Sequence, residues 1–166
     1  MLFMVASGAG AQAADTTLEA RNAAVIRRHH DAINAGDIAA AAALYAEKVL
    51  NNGNAVDRAR LFGIMQDNSR TFPDWNMRID RLVARGDTVV ALITASGTHK
   101  AVSQRPVNGG LYFNIAPTGK HFYVLHTHWF IVKDGLITEH LATRDDLGMS
   151  RQLGLVAPAP PRPPDE

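Results

Sequence analysis

The strongest constraint on the fold is an Asp134-Gly135 pair that joins two strand-like segments near the end of the chain. A two-residue turn of this kind favours a tight β-hairpin, because its backbone twist matches that of the flanking strands. The pair therefore predicts antiparallel strands over residues 121–133 and 136–144. Two earlier segments, residues 75–80 and 88–94, also have strand character and flank a turn at residues 85–87, so we expect a meander.

The first half of the chain has helical patterns. Thr16 and Glu19 have the spacing of a capping box, and the helix that follows should end at Gly36. Asp37 is expected to cap a second helix that runs through Tyr45, and Asp57 to cap a third that ends before Pro73. Helices followed by an antiparallel meander indicate an α+β fold, with the helices on one face of a curved sheet. Such a fold encloses a cone that is open at one end and suits a small molecule.

Composition limits the function classes. The chain has 166 residues, which suits one domain, and a formal net charge of +1 without a basic stripe, so we expect no nucleic-acid partner. It has no cysteine and no apolar run long enough for a membrane helix. We expect a leader at residues 1–15, the domain at 16–155 and a disordered proline-rich tail at 156–166. The small-x-small motif at residues 11–13 favours a periplasmic or secreted protein, with a cytoplasmic one as the alternative.

A paired carboxylate follows the last predicted strand. Asp145 and Asp146 come directly after residues 136–144, and His99 stands at the end of an earlier strand. Such a carboxylate is either a solvated turn residue or a general base. If Asp145 and His99 face one cavity, the raised pKa of a buried carboxyl suits removal of a proton α to a carbonyl. The imidazole would then donate to the oxygen that becomes negative.

Two histidines occur at strand spacing. His126 and His128 lie two residues apart, so their side chains share one face. Metal sites use such pairs, but no third ligand stands at a telling spacing, and we expect no metal. One ring is expected to line the pocket and the other to be hydrogen-bonded within the sheet. Trp75, Phe130 and Tyr45 are predicted to contact the substrate too, although Phe130 would equally suit the core.

Several short motifs occur in an order typical of one family. Each is weak alone, and together they span residues 25–154: Asp31-Ala-Ile-Asn-Ala-Gly-Asp37, Phe72-Pro-Asp74, Gly97-Thr-His99, Pro117-Thr-Gly-Lys120, Asp134-Gly135, Glu139-His140, and Asp145-x-x-Gly148 closing in Arg151-Gln-Leu-Gly154. On these residues the chain resembles the SnoaL-like polyketide cyclases of the nuclear-transport-factor-two-like superfamily. The resemblance implies a cone-shaped α+β barrel, usually a homodimer. It also implies an intramolecular aldol condensation without cofactor or metal.

The same resemblance implies roles for two residues. Asp145 matches the catalytic aspartate and His99 the histidine of the Gly-Thr-His motif. The chain departs from the family pattern in its long loop, residues 100–119, and in Leu141, which replaces a frequent tryptophan. The expected partner is a small hydrophobic carbonyl-containing molecule. The alternatives are an isomerase, dehydratase or epoxide hydrolase on the same scaffold, or a non-catalytic small-molecule-binding module.

Overall fold

The computed structural model describes residues 17–105 and 111–156. Its helices and strands, in chain order, are α1 (Leu18–Asn34), α2 (Ile38–Ala43), β1 (Tyr45–Asn51), β2 (Asn54–Asp57), α3 (Arg58–Thr71), β3 (Asn76–Arg85), β4 (Thr88–Thr98), β5 (His121–Lys133), β6 (Leu136–Arg144) and α4 (Asp146–Leu153). The predicted leader and nearly all of the predicted tail lie outside the described residues. Within the described part, no helix is long and apolar enough to span a membrane.

The strands form one curved six-stranded sheet in the order β2-β1-β6-β5-β4-β3, with the helices packed against it. The predicted α+β fold and the meander of β3 to β6 are confirmed. Two details differ from the expectation. β1 and β2 form an additional hairpin in the first half of the chain, and β1 runs parallel to β6, so the sheet is mixed.

The helix boundaries also correct the sequence interpretation. Thr17 caps α1 by accepting a hydrogen bond from the backbone N–H of Ala20, and the predicted cap Thr16 lies outside the described residues. Glu19 accepts a hydrogen bond from the backbone N–H of Gly86. Tyr45 begins β1 rather than ending α2. The predicted caps Asp37 and Asp57 are confirmed, and each accepts from the backbone N–H three residues later.

Two apolar clusters fill opposite ends of the space between the sheet and the helices. One packs α1 and β1 against the far end of β5, with Ile26 and Phe130 fully buried. The other packs α4 against the near end of β5 around Phe72 and Phe122. Since the side chains of β5 alternate, residues 122 and 124 contact one cluster and residues 130 and 132 the other. The inward residues between them, 126 and 128, are histidines.

Candidate active site

Five histidines, four of them buried and one half-buried, occupy the middle of the concave side of the sheet, between the two apolar clusters. This histidine cluster is supplied by α1, β5 and β6 and consists of His29, His30, His126, His128 and His140. Neighbouring rings within the cluster have centroids about 5 to 6 Å apart. Burying so many polar rings is costly unless they find new hydrogen-bond partners, because each gives up hydrogen bonds to water.

A β-bulge places the last of these rings inside. Val132 pairs with Ile137, but Ile131 pairs with Glu139, so Thr138 is an extra residue on β6. One extra residue reverses which side chains of a strand point inward. His140 therefore lies opposite inward Phe130, and the two rings stack with centroids 4.7 Å apart. The same reversal turns Ala142 and Arg144 toward the inner side.

A hydrogen-bonded chain joins three side chains of the site. Nδ1 of His140 lies 3.1 Å from Oδ1 of Asn51, and Nε2 of His140 lies 3.2 Å from Nδ1 of His128. An amide oxygen only accepts, so Nδ1 of His140 carries the hydrogen and its Nε2 accepts from Nδ1–H of His128. The remaining nitrogen of His128, Nε2, then carries a free lone pair. It is buried and has no partner among the described residues.

Electrostatics keep the cluster neutral. Burial lowers the pKa of His126 to about 4 and that of His140 to about 3. Burial, followed by repulsion from neighbouring rings, holds the pKa of His128 well below its usual range. Burial is also the main cause that lowers the pKa values of His29 and His30. At neutral pH every ring therefore offers a lone pair rather than a charge.

The cluster contains further polar atoms without a protein partner. Both ring nitrogens of His29 and of His126, and Nε2 of His30, are buried and unpaired among the described residues. Nδ1 of His30 donates to the carbonyl oxygen of Ile26. No group of three potential ligands in residues 17–105 and 111–156 has the geometry of a metal site. Buried polar atoms of this kind are usually hydrogen-bonded, so a cluster of unpaired ring nitrogens marks a place where small polar molecules can bind.

A large open cleft lies beside the histidine cluster, between α3 and the β1–β6 edge of the sheet. Its volume is about 1500 Å³, and its wall includes Asn51, Ala142 and Arg144. Each of these contacts or pairs with the cluster: Asn51 holds His140, and Ala142 is the cross-strand partner of His128. The described lining residues include no histidine, so Asn51, Ala142 and Arg144 link the cleft to the cluster.

Asp145, the predicted base, caps α4. Its Oδ1 accepts a 2.8 Å hydrogen bond from the backbone N–H of Gly148, and the residue is exposed. A side chain at residue 148 would collide with the Asp145 carboxylate, so the Asp-x-x-Gly motif has a local structural cause. The negative charge of Asp145 also reaches the interior, because it acts to raise the pKa of His126 against the stronger effects of burial and Arg144.

His99, the second predicted catalytic residue, is fully buried and packs against Phe72. Its Nδ1 accepts from the backbone N–H of Thr118, and burial lowers its pKa. The structure does not bring His99 and Asp145 into contact within the described residues. Their backbone anchors on the β5 side, Lys120 and Leu125, are five residues apart, or roughly 16 Å along an extended chain.

The five predicted substrate-binding residues fall into three groups. His126 and His128 both face the interior; His128 has one partner, the ring of His140 on the next strand, and both ring nitrogens of His126 are unpaired among the described residues. Tyr45 and Phe130 are buried in an apolar cluster, and burial raises the pKa of the Tyr45 phenol. Trp75 is half-buried beside a separate cavity of about 60 Å³.

Sequence reasoning missed His30, Asn51 and His140 as site residues. His30 lies four residues after buried Ile26, so helical periodicity could have placed it inside with His29. No comparable signal exists for His140, because simple alternation from the Asp134-Gly135 turn would point its ring outward. Asn51 begins a polar, turn-like run at residues 51–54, which hides its position as the last residue of β1.

The comparisons with known proteins agree on one family. A family model described as SnoaL-like polyketide cyclase matches residues 23–153. No curated protein matches the chain. Among solved structures, TsrD from Streptomyces laurentii is 26% identical and aligns over 82% of this chain and 97% of its own, with a TM-score of 0.70.

Two further structures have the same fold. IdmH from Streptomyces antibioticus, described as a candidate polyketide cyclase, is 26% identical over 80% of this chain and 98% of its own, with a TM-score of 0.65. AclR from Streptomyces galilaeus, described as a candidate hydroxylase, is 20% identical over 84% and 99%, with a TM-score of 0.70, and shows the fold alone. The family match covers most of the chain, so the protein belongs to the SnoaL-like polyketide cyclase family, and its general kind of function is that of a cyclase or isomerase.

Proposed function

We propose that the protein closes a ring in a small carbonyl compound by intramolecular aldol-type addition, with His128 as the proton acceptor and no cofactor. The observation that carries the proposal is the chain from Asn51 through His140 to His128. It fixes the tautomer and orientation of His128 and leaves a buried lone pair on Nε2. A neutral imidazole oriented by a second side chain is the usual design of a general base.

The proposed steps balance within one molecule of substrate. Nε2 of His128 takes a proton from a carbon flanked by carbonyl groups, and the electron pair of that C–H bond becomes an enolate. The enolate carbon attacks a second carbonyl of the same molecule, which forms the new C–C bond and an alkoxide. The imidazolium returns its proton to the alkoxide, so His128 ends neutral. Because the pKa of His128 is strongly lowered, the base suits an acidic α-proton of this kind.

The position of the base limits how the substrate reaches it. Nε2 of His128 is buried. Ala142 and Arg144, the cross-strand partners of His128 and His126, line the cleft. Arg144 forms an ion pair with Asp146 at 3.0 Å, and its side chain is the long, movable part of this wall. We infer that displacement of Arg144 admits the substrate.

A second candidate base follows from the family resemblance. Asp145 matches the catalytic aspartate by its motif, and its charge acts on His126 in the histidine cluster. In that alternative Asp145 would have to leave the backbone N–H of Gly148, which it now caps. His99 would then act from the other side of the apolar cluster around Phe72.

Turnover of a panel of linear polyketide-like triketones, with ring closure followed by absorbance and mass spectrometry, tests the proposal. His128→Gln should lower kcat by about 10² to 10⁴-fold, because a positioned acid–base group contributes that much. His128→Asn is a second variant without the base, and circular dichroism checks that both variants keep the fold. Unchanged kcat in both variants would exclude His128 as the base. Binding of triketones without turnover in the unaltered protein would instead identify a non-catalytic binding module.

We also propose that the protein is a homodimer. The outer face of the sheet is not covered by any described element and exposes an apolar group of side chains, with 47 to 68% of the surface of each residue accessible: Val83, Tyr123, Leu125, Trp129 and Leu141. Continuous apolar patches on a folded protein usually mark an interface. A second copy offers the same patch and would cover it by two-fold symmetry.

A further inference from the structure

The cleft beside the histidine cluster carries more positive charge than its own carboxylates neutralise. Its wall contains Arg60, Arg70, Arg105 and Arg144, and Asp67 is the one carboxylate among its described lining residues. Arg70 pairs with Asp67 at 2.6 Å, and Arg144 pairs with Asp146. Among the described residues, no carboxylate lies within ion-pair distance of Arg60 or Arg105.

Arg105 is held in the cleft by a buried anchor on α3. The carboxylate of Asp67 accepts hydrogen bonds from the Ser103 hydroxyl at 2.6 Å and from the backbone N–H groups of Gln104 and Arg105 at 3.1 and 3.2 Å. Burial raises the pKa of Asp67, but these bonds and the bond from Arg70 outweigh that effect and lower it overall. The anchor is therefore charged at neutral pH and fixes the chain on which Arg105 stands.

A glycine in α3 provides the space for the Arg105 side chain. A Cβ atom at Gly63 would lie 2.7 Å from a guanidinium nitrogen of Arg105. A glycine inside a helix costs about 1 kcal/mol relative to alanine. Residues 60, 63, 67 and 70 follow one face of the helix, so Arg105 crosses this face between Arg60 and Asp67.

We propose that Arg60 and Arg105 bind a carboxylate of the substrate, so that the substrate is an anionic keto acid rather than a neutral hydrophobic carbonyl compound. The proposal rests on the proposed function, because it concerns the substrate of that same site. Guanidinium groups suit carboxylates through paired N–H donors. The amides of Asn54, Gln66 and Gln104 in the cleft add hydrogen-bonding groups for the oxygens of a polyketone chain.

Calorimetric binding of two matched compounds tests this proposal without turnover. The probes are 4-oxo-4-phenylbutanoate and its methyl ester, which differ in the charge of one group. The carboxylate should bind at least about tenfold more tightly, since a hydrogen bond to a charged group contributes about 1.5 to 3 kcal/mol. Arg105→Gln and Arg60→Gln should each reduce this preference, and Arg27→Gln, at an exposed position on α1, should leave it unchanged.

Gly63→Ala tests the geometry rather than the charge. It keeps every arginine but removes the space in which the Arg105 guanidinium lies. It should weaken carboxylate binding in the unaltered protein and have no further effect in the Arg105→Gln background. Thermal unfolding checks that the helix is intact, and alanine should favour it.

Three outcomes would overturn the proposal. These are equal binding of the acid and the ester, an equal loss of preference in Arg27→Gln and Arg105→Gln, and displacement of the keto acid by an equal concentration of inorganic phosphate, which would assign the site to phosphorylated compounds. Failure of the proposed function is seen separately. If His128→Gln retains full turnover while the carboxylate preference stands, the base is wrong and the anion site remains.

Discussion

In its central part, β5 has polar side chains on its buried face and apolar side chains on its exposed face, the reverse of most sheets. Its concave side carries His126 and His128 between apolar residues, whereas its convex side exposes Leu125 and Trp129. A strand with one buried face normally points apolar side chains inward and polar ones outward. Here the central part of each face breaks that rule, and the reversed polarity does not stabilise the fold.

The difference shows which positions were not chosen for stability. Two larger apolar clusters flank the histidines and a smaller one around Ile93 packs beside them, so the sheet has a core without the histidine positions. The proposed function assigns the buried rings to chemistry in the interior, and the proposed dimer assigns the exposed rings to contact with a second copy. Changing the polarity of either face should affect a different property, which makes the comparison testable.

The largest expected effect is acid destabilisation from the inner face. Above pH 6.5 the cluster rings are neutral in both states and add no pH dependence. Below it the unfolded chain takes up protons, whereas the buried rings, with folded pKa values of about 4 for His126 and about 3 for His140, do not. The free energy of unfolding should fall as pH drops from 6.5 toward 4, by up to about 1.4 kcal/mol per pH unit for each ring.

Urea unfolding at a series of pH values measures this slope. His140→Gln removes one titrating ring and should reduce the slope by about one proton. Lys133→Gln at an exposed position on the same strand pair is the matched control and should leave the slope unchanged. Stability that stays constant between pH 6.5 and 5 would show that the rings are protonated in the folded state.

A smaller effect is expected from the outer face. Trp129→Lys places a charge in the middle of the exposed apolar patch, where the side chain is 49% accessible. We expect the dissociation constant of the dimer to rise at least about tenfold, because buried aromatic residues at the centre of an interface carry much of its binding energy. Sedimentation equilibrium measures it, with Arg27→Lys on the helical side as the control. A protein that is monomeric at high concentration before any substitution would refute the dimer.

Much of the fold was predictable from the sequence, because local signals and global packing agree in the meander. The Asp134-Gly135 turn and the caps Asp37 and Asp57 each form where their chemistry predicts. β1 was missed because Tyr45 and Val49 are buried but the residues between them do not alternate. A register shift in the pairing of β1 with β6 accounts for that irregular pattern.

The site was less predictable than the fold, because it depends on strand irregularities and on contacts between residues far apart in sequence. The two-residue spacing of His126 and His128 predicted that their rings share one face of the strand, and the structure confirms this. The second ring of the hydrogen-bonded chain, His140, points inward because of the bulge at Thr138, and nothing in the local sequence marks that residue as extra. Arg60 and Arg105 line one cleft because the chain at Arg105 is anchored on Asp67, a contact between residues far apart in sequence.

The smallest expected effect concerns Asp145, and it separates the two explanations of the Asp-x-x-Gly motif. As a helix cap, Asp145 can be replaced by asparagine with little loss, whereas alanine should cost about 1 kcal/mol of unfolding free energy. As a general base, it cannot be replaced by asparagine at all, because an amide does not accept the proton. Stability and kcat measured on Asp145→Asn and Asp145→Ala therefore give opposite patterns. Full activity in Asp145→Asn with lower stability only in Asp145→Ala would make the motif a capping signal and leave the chemistry to the inner face of the sheet, whereas an inactive but stable Asp145→Asn would return the base to the end of β6.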